Sequence, residues 1–252
     1  MQAYGRVFAR VYNAMWTGFA QQVAPCIMEF YLGTPVGQTN SSLLDLCCGT
    51  GQLMCYFLAD GFQTVGLDLS EHMLAHARRN AAPYLASGQA RFVQGDAADF
   101  QLNEQFGLVV STFDALNHLP SAEALDRCFR CVFPVLAEGG YFIFDLNTRA
   151  GLARWNNITI QEGEDALIVM HGIYDRENGR ALTRISGFAR ARDDLYERFE
   201  ETVFNTAFDM AQVREMLLAA GWRGVHFARL QELATPLDEP EEEGRVFIVA
   251  QK

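Results

Sequence analysis

The sequence predicts an α/β protein: a doubly wound, mostly parallel seven-stranded sheet with an antiparallel β insertion after its fifth strand. Three observations predict it. Strand-like apolar runs and helix-like stretches alternate between Leu43 and Leu146. Leu43–Cys47, Leu108–Thr112 and Tyr141–Leu146 are nearly unbroken apolar runs, as expected of parallel strands covered on both faces. After Arg149 the pattern changes to strand-like segments separated by the turn-rich sequences EGED, RENG and ARDD.

Each element has its own local signal. Residues 3–20 place Val7, Phe8, Val11, Tyr12, Met15, Trp16 and Phe19 on one helical face. Pro25 is expected to open a second, short helix, and Gly33–Ser41 reads as a linker. Leu43–Cys47 is the first strand and runs into a glycine turn, with Leu53–Leu58 helical behind it. Thr64–Leu67 is the second strand, and Ser70 caps a helix reaching about Asn80. Ala90–Gln94, Leu108–Thr112 and Tyr141–Leu146 supply three more strands. Between the last two, Ser121 caps an amphipathic helix that Glu138-Gly139-Gly140 is expected to end. Ile158–Gln161, Ala166–Tyr174, Ala181–Arg190 and Leu195–Phe204 form the meander. Asp209 then starts a helix ending at Gly221, and Trp222–Leu230 and Arg245–Ala250 make an antiparallel pair across an acidic loop.

Composition narrows the function classes. Of 252 residues, 50% are hydrophobic and 20% charged, which excludes a disordered chain. The formal charge is -11, from 20 Lys plus Arg against 31 Asp plus Glu. Such a surface repels phosphate backbones and anionic lipid, so nucleic-acid and membrane partners are not expected. No secretory leader or membrane-length apolar run is read, and the six cysteines do not resemble a disulfide framework. The expectation is a cytoplasmic protein.

The informative stretch is Leu44-Asp45-Leu46-Cys47-Cys48-Gly49-Thr50-Gly51, a glycine turn between a buried strand and a helix. Gly49 and Gly51 let the backbone approach a ligand, and Asp68 at the next strand end can accept both hydroxyls of a ribose. A dinucleotide fingerprint asks for a third glycine where Met54 stands. Asp45 also opposes a diphosphate. A cationic, phosphate-free cofactor suits the turn better, and S-adenosylmethionine carries an ammonium and a sulfonium.

These residues resemble the class I S-adenosylmethionine-dependent methyltransferases. The glycine turn looks like their first motif, Val65-Gly66-Leu67-Asp68-Leu69-Ser70 with Met73 like their second, and Phe92-Val93-Gln94-Gly95-Asp96-Ala97 like their third. The resemblance covers roughly residues 40–150 and implies a Rossmann-like methyltransferase fold. A narrower resemblance, to amino-sugar N-methyltransferases and their uncharacterised bacterial relatives, rests on three further stretches. They are Tyr4 to Asn13, Phe113-Asp114-Ala115-Leu116-Asn117-His118-Leu119, and Tyr196 to Glu201. Asn13 departs from that group's usual aspartate.

The resemblance implies roles residue by residue. Asp45 would face the methionine ammonium, while Cys47, Gly49 and Gly51 would line that moiety. Asp68 would hold the ribose, Leu69 and Met73 would flank the adenine, and Asp96 with the Ala97 amide would read its amine. Phe113 and Asp114 would floor the pocket. Tyr4, Tyr12 and Trp16 would close the cofactor pocket from the N-terminal helix.

Methyl transfer requires alignment of the acceptor with the methyl carbon and exclusion of water. A base serves when the acceptor arrives protonated, and His118 is the candidate, with Tyr12 second. Asn117, His118, Arg149, Tyr174, Arg184 and Tyr196 are the candidate acceptor-binding residues. Residues 1–40 are expected to form a helical lid and 151–206 a β insertion over the acceptor site. Residues 41–150 and 207–252 then form the cofactor domain. No metal site is expected: Cys128-Phe-Arg-Cys131 lies in a helical pattern without a second pair, and His72 and His76 lack a further ligand. The expected function is methylation of a small molecule, first an amine. O-methylation and non-catalytic cofactor binding are the alternatives. A monomer or a homodimer is expected.

Overall fold

The computed structural model describes residues 4–252. The first half comprises α1 (Arg6–Met15), α2 (Gly18–Leu32), β1 (Ser42–Leu46), α3 (Gln52–Ala59), β2 (Gln63–Asp68), α4 (Glu71–Asn80), α5 (Ala82–Ala86), β3 (Ala90–Gln94) and β4 (Phe106–Ser111). A 3-10 turn (Ala115–His118), α6 (Ala122–Val135), β5 (Leu136–Asn147) and α7 (Arg149–Leu152) follow. The meander is β6 (Ile158–Glu162), β7 (Ala166–Asp175), β8 (Arg180–Arg192) and β9 (Leu195–Thr206). The chain closes with α8 (Met210–Ala219), β10 (Arg223–Ala228) and β11 (Arg245–Gln251).

Seven strands form one sheet in the order β10-β11-β5-β4-β1-β2-β3, and β6-β7-β8-β9 form a second sheet. β3, β2, β1, β4 and β5 are parallel, and β11 is antiparallel to both β5 and β10. This is the expected class, a Rossmann-like sheet with an antiparallel insertion. Both faces of the large sheet are buried: Leu44, Leu46, Val109, Phe142 and Phe144 pack on one side. Leu43, Leu108, Val110, Ile143 and Val249 pack on the other. That double burial is why these strands read as unbroken apolar runs. The chain leaves β1 for β2 on one side and later enters β4 on the other, so the strand order reverses between β1 and β4. A crevice opens at the carboxyl ends of strands at such a point.

The meander is half-buried instead. Its inner face carries Ala166, Ile168, Ile185, Phe199 and Val203, packed on Phe8 and Val11 of α1. Helix α1 therefore bridges the insertion and the crevice.

Local departures from the sequence reading have physical reasons. The stretch 3–20 is two helices, broken at Trp16–Thr17, and residue 3 lies outside the described residues. Pro25 sits inside α2 rather than opening it. It lacks the N–H that the carbonyl four residues earlier would accept, yet burial of Val23, Ala24, Ile27 and Tyr31 holds the helix through it. Glu138-Gly139-Gly140 lies at the start of β5, with Gly139 at φ 76° marking the irregular entry. Among the described residues, no helix is long and apolar enough to cross a membrane.

Candidate active site

The turn after β1 builds the site. Cys47, Gly49 and Gly51 have φ of 61°, 55° and 72°, so the chain coils left-handedly before α3 begins. A Cβ on Gly51 would lie 3.1 Å from the Ala77 Cβ, so this glycine lets α3 pack on α4. A Cβ on Gly49 would point toward Met73 and Tyr12, at 3.4 Å and 4.0 Å. The glycine cradle thus faces the cleft under α1.

Two carboxylates flank the cradle. The Gly49 N–H donates to Asp68 Oδ2 and the Ser70 N–H to Oδ1, each at 2.8 Å. A carboxylate oxygen has room for a second donor, so Asp68 can still receive hydroxyls. Burial raises its pKa against the pull of those N–H bonds. Asp45 is 2% exposed, and its Oδ2 has no partner. Burial and repulsion by Asp68 push its pKa up to about 8. A buried carboxylate with an open acceptor calls for a cationic donor. Beside Asp68, Leu69 leaves 57% of its surface exposed, while Met73 is buried beneath the cradle. Asp96 follows β3, with Oδ1 accepting the Ala98 N–H at 2.8 Å, and Ala97 is buried beside it. The set fits a cationic ligand with a vicinal diol and a flat apolar end, the chemistry of S-adenosylmethionine.

The cleft measures about 390 Å³ with its open mouth included, and its lining contains Tyr12, Trp16, Asp45, Cys47, Gly49 and Phe113. Tyr12 stacks on Trp16 at 5.6 Å and meets Phe113 at 6.2 Å. Burial, with Asp114 and Asp68 adding to it, raises the Tyr12 pKa, so its phenol stays protonated. The Cys47 thiol is likewise pushed up by burial and Asp68, and is no nucleophile there.

His118 ends the 3-10 turn after β4. Its Nδ1 lies 2.8 Å from the Phe204 carbonyl, which can only accept, so the proton resides on Nδ1. Nε2 is left as an acceptor and receives the Tyr4 hydroxyl at 3.2 Å. Tyr4 also meets Tyr12 edge-on at 6.1 Å. The structure thus lines the cleft with Tyr12, Trp16, Asp45, Cys47, Gly49 and Phe113, backs its glycine turn with Gly51, Asp68 and Met73, and reaches His118 from Tyr12 through Tyr4.

Other candidates are placed elsewhere. Asn117 is fully buried, and its amide donates to the Asn147 and Thr206 carbonyls at 3.1 Å and 2.9 Å. Its Oδ1 accepts the Asn147 N–H at 2.9 Å, so it pins the His118 turn and has nothing left for an acceptor. Arg149 and Tyr174 line a separate open cavity, where Arg149 pairs with Asp209 at 3.5 Å. Arg184 pairs with Glu200 at 2.8 Å, and Tyr196 lies under Arg190 at 5.3 Å. Both belong to the outer face of the meander, set by the register Arg184↔Thr202 and Arg190↔Tyr196.

One cluster was missed by the sequence reading. Asp145, fully buried at the end of β5, accepts the Phe113 and Asp114 N–H groups at 2.6 Å and 2.9 Å. Arg245 of β11 bonds Asp145 and pairs with Asp114 at 2.7 Å, with its guanidinium over Phe19 and Phe113. Asn205 donates to the other Asp114 oxygen at 3.0 Å. Phe113 and Asp114 have φ of 68° and 50°, a conformation costly for two successive non-glycine residues. The clamp holds that turn and sets where His118 emerges. The available signal was a carboxylate inside Tyr141–Leu146 and an arginine opening the apolar Val246–Ala250.

Residues 43–140 match the family described as "Methyltransferase domain". The chain is 32% identical over 158 residues to the "Uncharacterized methyltransferase sll0829" of Synechocystis sp., covering 62% of this chain and 71% of that protein. It is 29% identical to the "dTDP-3-amino-3,4,6-trideoxy-alpha-D-glucopyranose N,N-dimethyltransferase" of Streptomyces venezuelae, over 73% of this chain and 76% of that protein. An S-adenosylmethionine-dependent methyltransferase from Clostridium acetobutylicum superposes with a TM-score of 0.81 over 97% of both chains, at 22% identity. Motif order, sheet topology and these likenesses agree: the chain belongs to the class I S-adenosylmethionine-dependent methyltransferases and is an enzyme.

Proposed function

We propose that this enzyme methylates an amine nitrogen of a small acceptor, with His118 as the base and Tyr4 as its partner. The observation that carries this reading is the Tyr4–His118 contact at the cleft, in which Nε2 is held as an acceptor. The amine preference draws on the likeness to the amino-sugar N,N-dimethyltransferase. It also suits a cleft whose carboxylates, Asp45 and Asp68, favour cationic ligands.

Asp45 would hold the cofactor's ammonium, Asp68 its ribose, and Leu69, Met73, Asp96 and Ala97 its adenine. Phe113 and Asp114 form the floor. When bound, S-adenosylmethionine supplies an electrophilic methyl carbon on a good leaving group. His118 takes the proton of the arriving ammonium at Nε2, while Nδ1–H keeps its bond to Phe204. The Tyr4 hydroxyl then turns to accept from the new Nε2–H, which holds the imidazolium in place. Tyr12 and Trp16 wall the reacting centre and exclude water.

Residues 1–40 serve as a lid over residues 41–150 and 207–252, and the insertion 151–206 supports it. The lid is fastened by polar bonds, among them Gln52 to the Asn13 carbonyl at 3.0 Å, the Gly5 N–H to Glu201 at 2.6 Å and the Arg6–Glu197 ion pair at 2.7 Å. Release of these bonds admits ligands.

The test is S-adenosylhomocysteine release with paired acceptors that differ only in carrying an amine or a hydroxyl. Release with the amines is expected, with a mass gain of about 14 Da, one CH₂, on the acceptor and fragmentation that locates the methyl on nitrogen, as expected of an acceptor nitrogen aligned with the methyl carbon. Release with the hydroxyl members alone would overturn the amine reading.

A further inference from the structure

The end of β9 grips the turn that carries His118. The Phe204 carbonyl meets His118 Nδ1 at 2.8 Å, the Asn205 amide donates to Asp114 Oδ2 at 3.0 Å, and the Thr206 hydroxyl donates to the Leu119 carbonyl at 2.7 Å. Three consecutive residues therefore fix Asp114 and His118 relative to each other.

Charge at Asp114 is not balanced. Asp114 and Asp145 share one guanidinium, that of Arg245. Among the described residues, no second cation bonds either carboxylate. Both aspartates are buried, so one negative charge is left over where a further cation gains most. Each Asp114 oxygen has one donor, Arg245 at 2.7 Å on Oδ1 and Asn205 on Oδ2, and each has room for a second.

Asn205 adds an acceptor. Its Nδ2 is committed to Asp114, because the flipped amide would set Oδ1 against the carboxylate. Oδ1 of this fully buried side chain has no partner. A buried acceptor without a donor is costly, so it points to a ligand that brings one.

The pair borders the cleft. Arg245 lies over Phe19 and Phe113, both in the cleft lining. The Tyr12 phenol of the same lining is pushed up by burial and next by Asp114, ahead of Asp68. Asp45 and Asp68 flank the glycine turn, whereas Asp114 stands on the turn of His118.

We propose that Asp114 and Asn205 Oδ1 anchor the ammonium of the acceptor, which selects cationic amines over hydroxyl acceptors before His118 acts. An ammonium brings the charge that Asp114 lacks and N–H donors for both groups. A hydroxyl brings no charge and a single donor. This inference rests on the amine reading above.

The test needs no identified acceptor. Sinefungin carries a primary amine on the carbon that replaces the methylated sulfur, so it places an ammonium where the transferred methyl would be. Calorimetry measures its affinity, with those of S-adenosylmethionine and S-adenosylhomocysteine, for wild type, Asp114→Asn and Asn205→Ala. Asp114→Asn is expected to weaken sinefungin by about 10-fold or more, and S-adenosylmethionine and S-adenosylhomocysteine by less than about 3-fold. Asn205→Ala should weaken sinefungin selectively by about 3-fold or more, and it decides the matter if Asp114→Asn does not fold. Equal losses for all three compounds would mean that Asp114 only holds its turn, and would overturn the proposal. So would an unchanged sinefungin affinity, or S-adenosylmethionine weakened as much as sinefungin, which would assign Asp114 to the sulfonium. Turnover with hydroxyl acceptors alone would end the amine reading and the anchor with it, whereas a missing sinefungin effect ends the anchor alone.

Discussion

The Tyr4 hydroxyl donates to Nε2 of His118 across 3.2 Å, tying the N-terminal segment to the turn after β4. The Phe204 carbonyl fixes the imidazole tautomer from the other side. Three separate parts of the chain therefore meet at one imidazole: the N-terminal segment, the β4 turn and the last strand of the insertion.

That convergence predicts how the pair fails. His118→Ala should lower kcat by about 10²–10⁴-fold, the range for loss of a general base. Tyr4→Phe should cost less, because the imidazole stays in place on Phe204 and loses only its second partner. Calorimetry should find S-adenosylhomocysteine affinity little changed in both. Unchanged turnover in His118→Ala would remove the base from the mechanism.

Asp45 makes a prediction about pH. Its pKa in the folded protein is about 8, above the carboxylate value in an unfolded chain, because burial and Asp68 disfavour the charged form. Between those two values the folded state binds more protons than the unfolded state, so this group's contribution to stability falls as pH rises. The melting temperature of wild type relative to Asp45→Asn should therefore decline as pH rises from about 5 toward the titration at about 8. A cationic ligand favours the ionised form, so its binding near pH 7 should release a proton (about neutral pH lies below the raised pKa). Calorimetric enthalpies in buffers of different ionisation heat read that release.

The arginine clamp predicts a stability effect with a partial rescue. Arg245→Met leaves Asp145 and Asp114 without their cation in a buried place and should cost about 3–5 kcal/mol. Adding Asp145→Asn should recover part of the loss, since the uncompensated charge is gone. Urea unfolding of the three proteins measures both steps.

Gly51 predicts a local strain. Its φ is 72°, and a Cβ there would lie 3.3 Å from the Ala77 Cα. Gly51→Ala should destabilise the protein by about 1–2 kcal/mol from the left-handed backbone alone. Thermal melting reads the loss, and Gly61→Ala is an informative partner: also left-handed at φ 89°, it meets nothing within 4 Å. The difference between the two isolates the contact with α4.

Much of the fold was legible because burial writes itself into the sequence in two different ways. Leu43–Leu46 and Phe142–Leu146 are covered on both sides and read as apolar runs, while the meander alternates because only one side is filled. Alternation does not say which face looks inward, and so Arg184 and Tyr196 were assigned to a site they turn away from. The glycine turn and Asp68 were legible because their partners are close in sequence. Arg245 was not, because Asp145 and Asp114 lie 100 and 131 positions earlier, and only the sheet order brings them together. Asn117 carried a similar ambiguity: a polar residue in a loop reads as a ligand contact until its amide is seen spent on Asn147 and Thr206.

The most direct test of the account is calorimetric titration of wild type and Asp68→Ala with S-adenosylmethionine and S-adenosylhomocysteine. Asp68 holds the cradle through Gly49 and Ser70 and keeps acceptor capacity for a ribose. The account predicts binding of both compounds to wild type, and a loss of about 1.5–3 kcal/mol in the variant. Equal affinity in a folded Asp68→Ala would contradict it and place the cofactor outside this cleft.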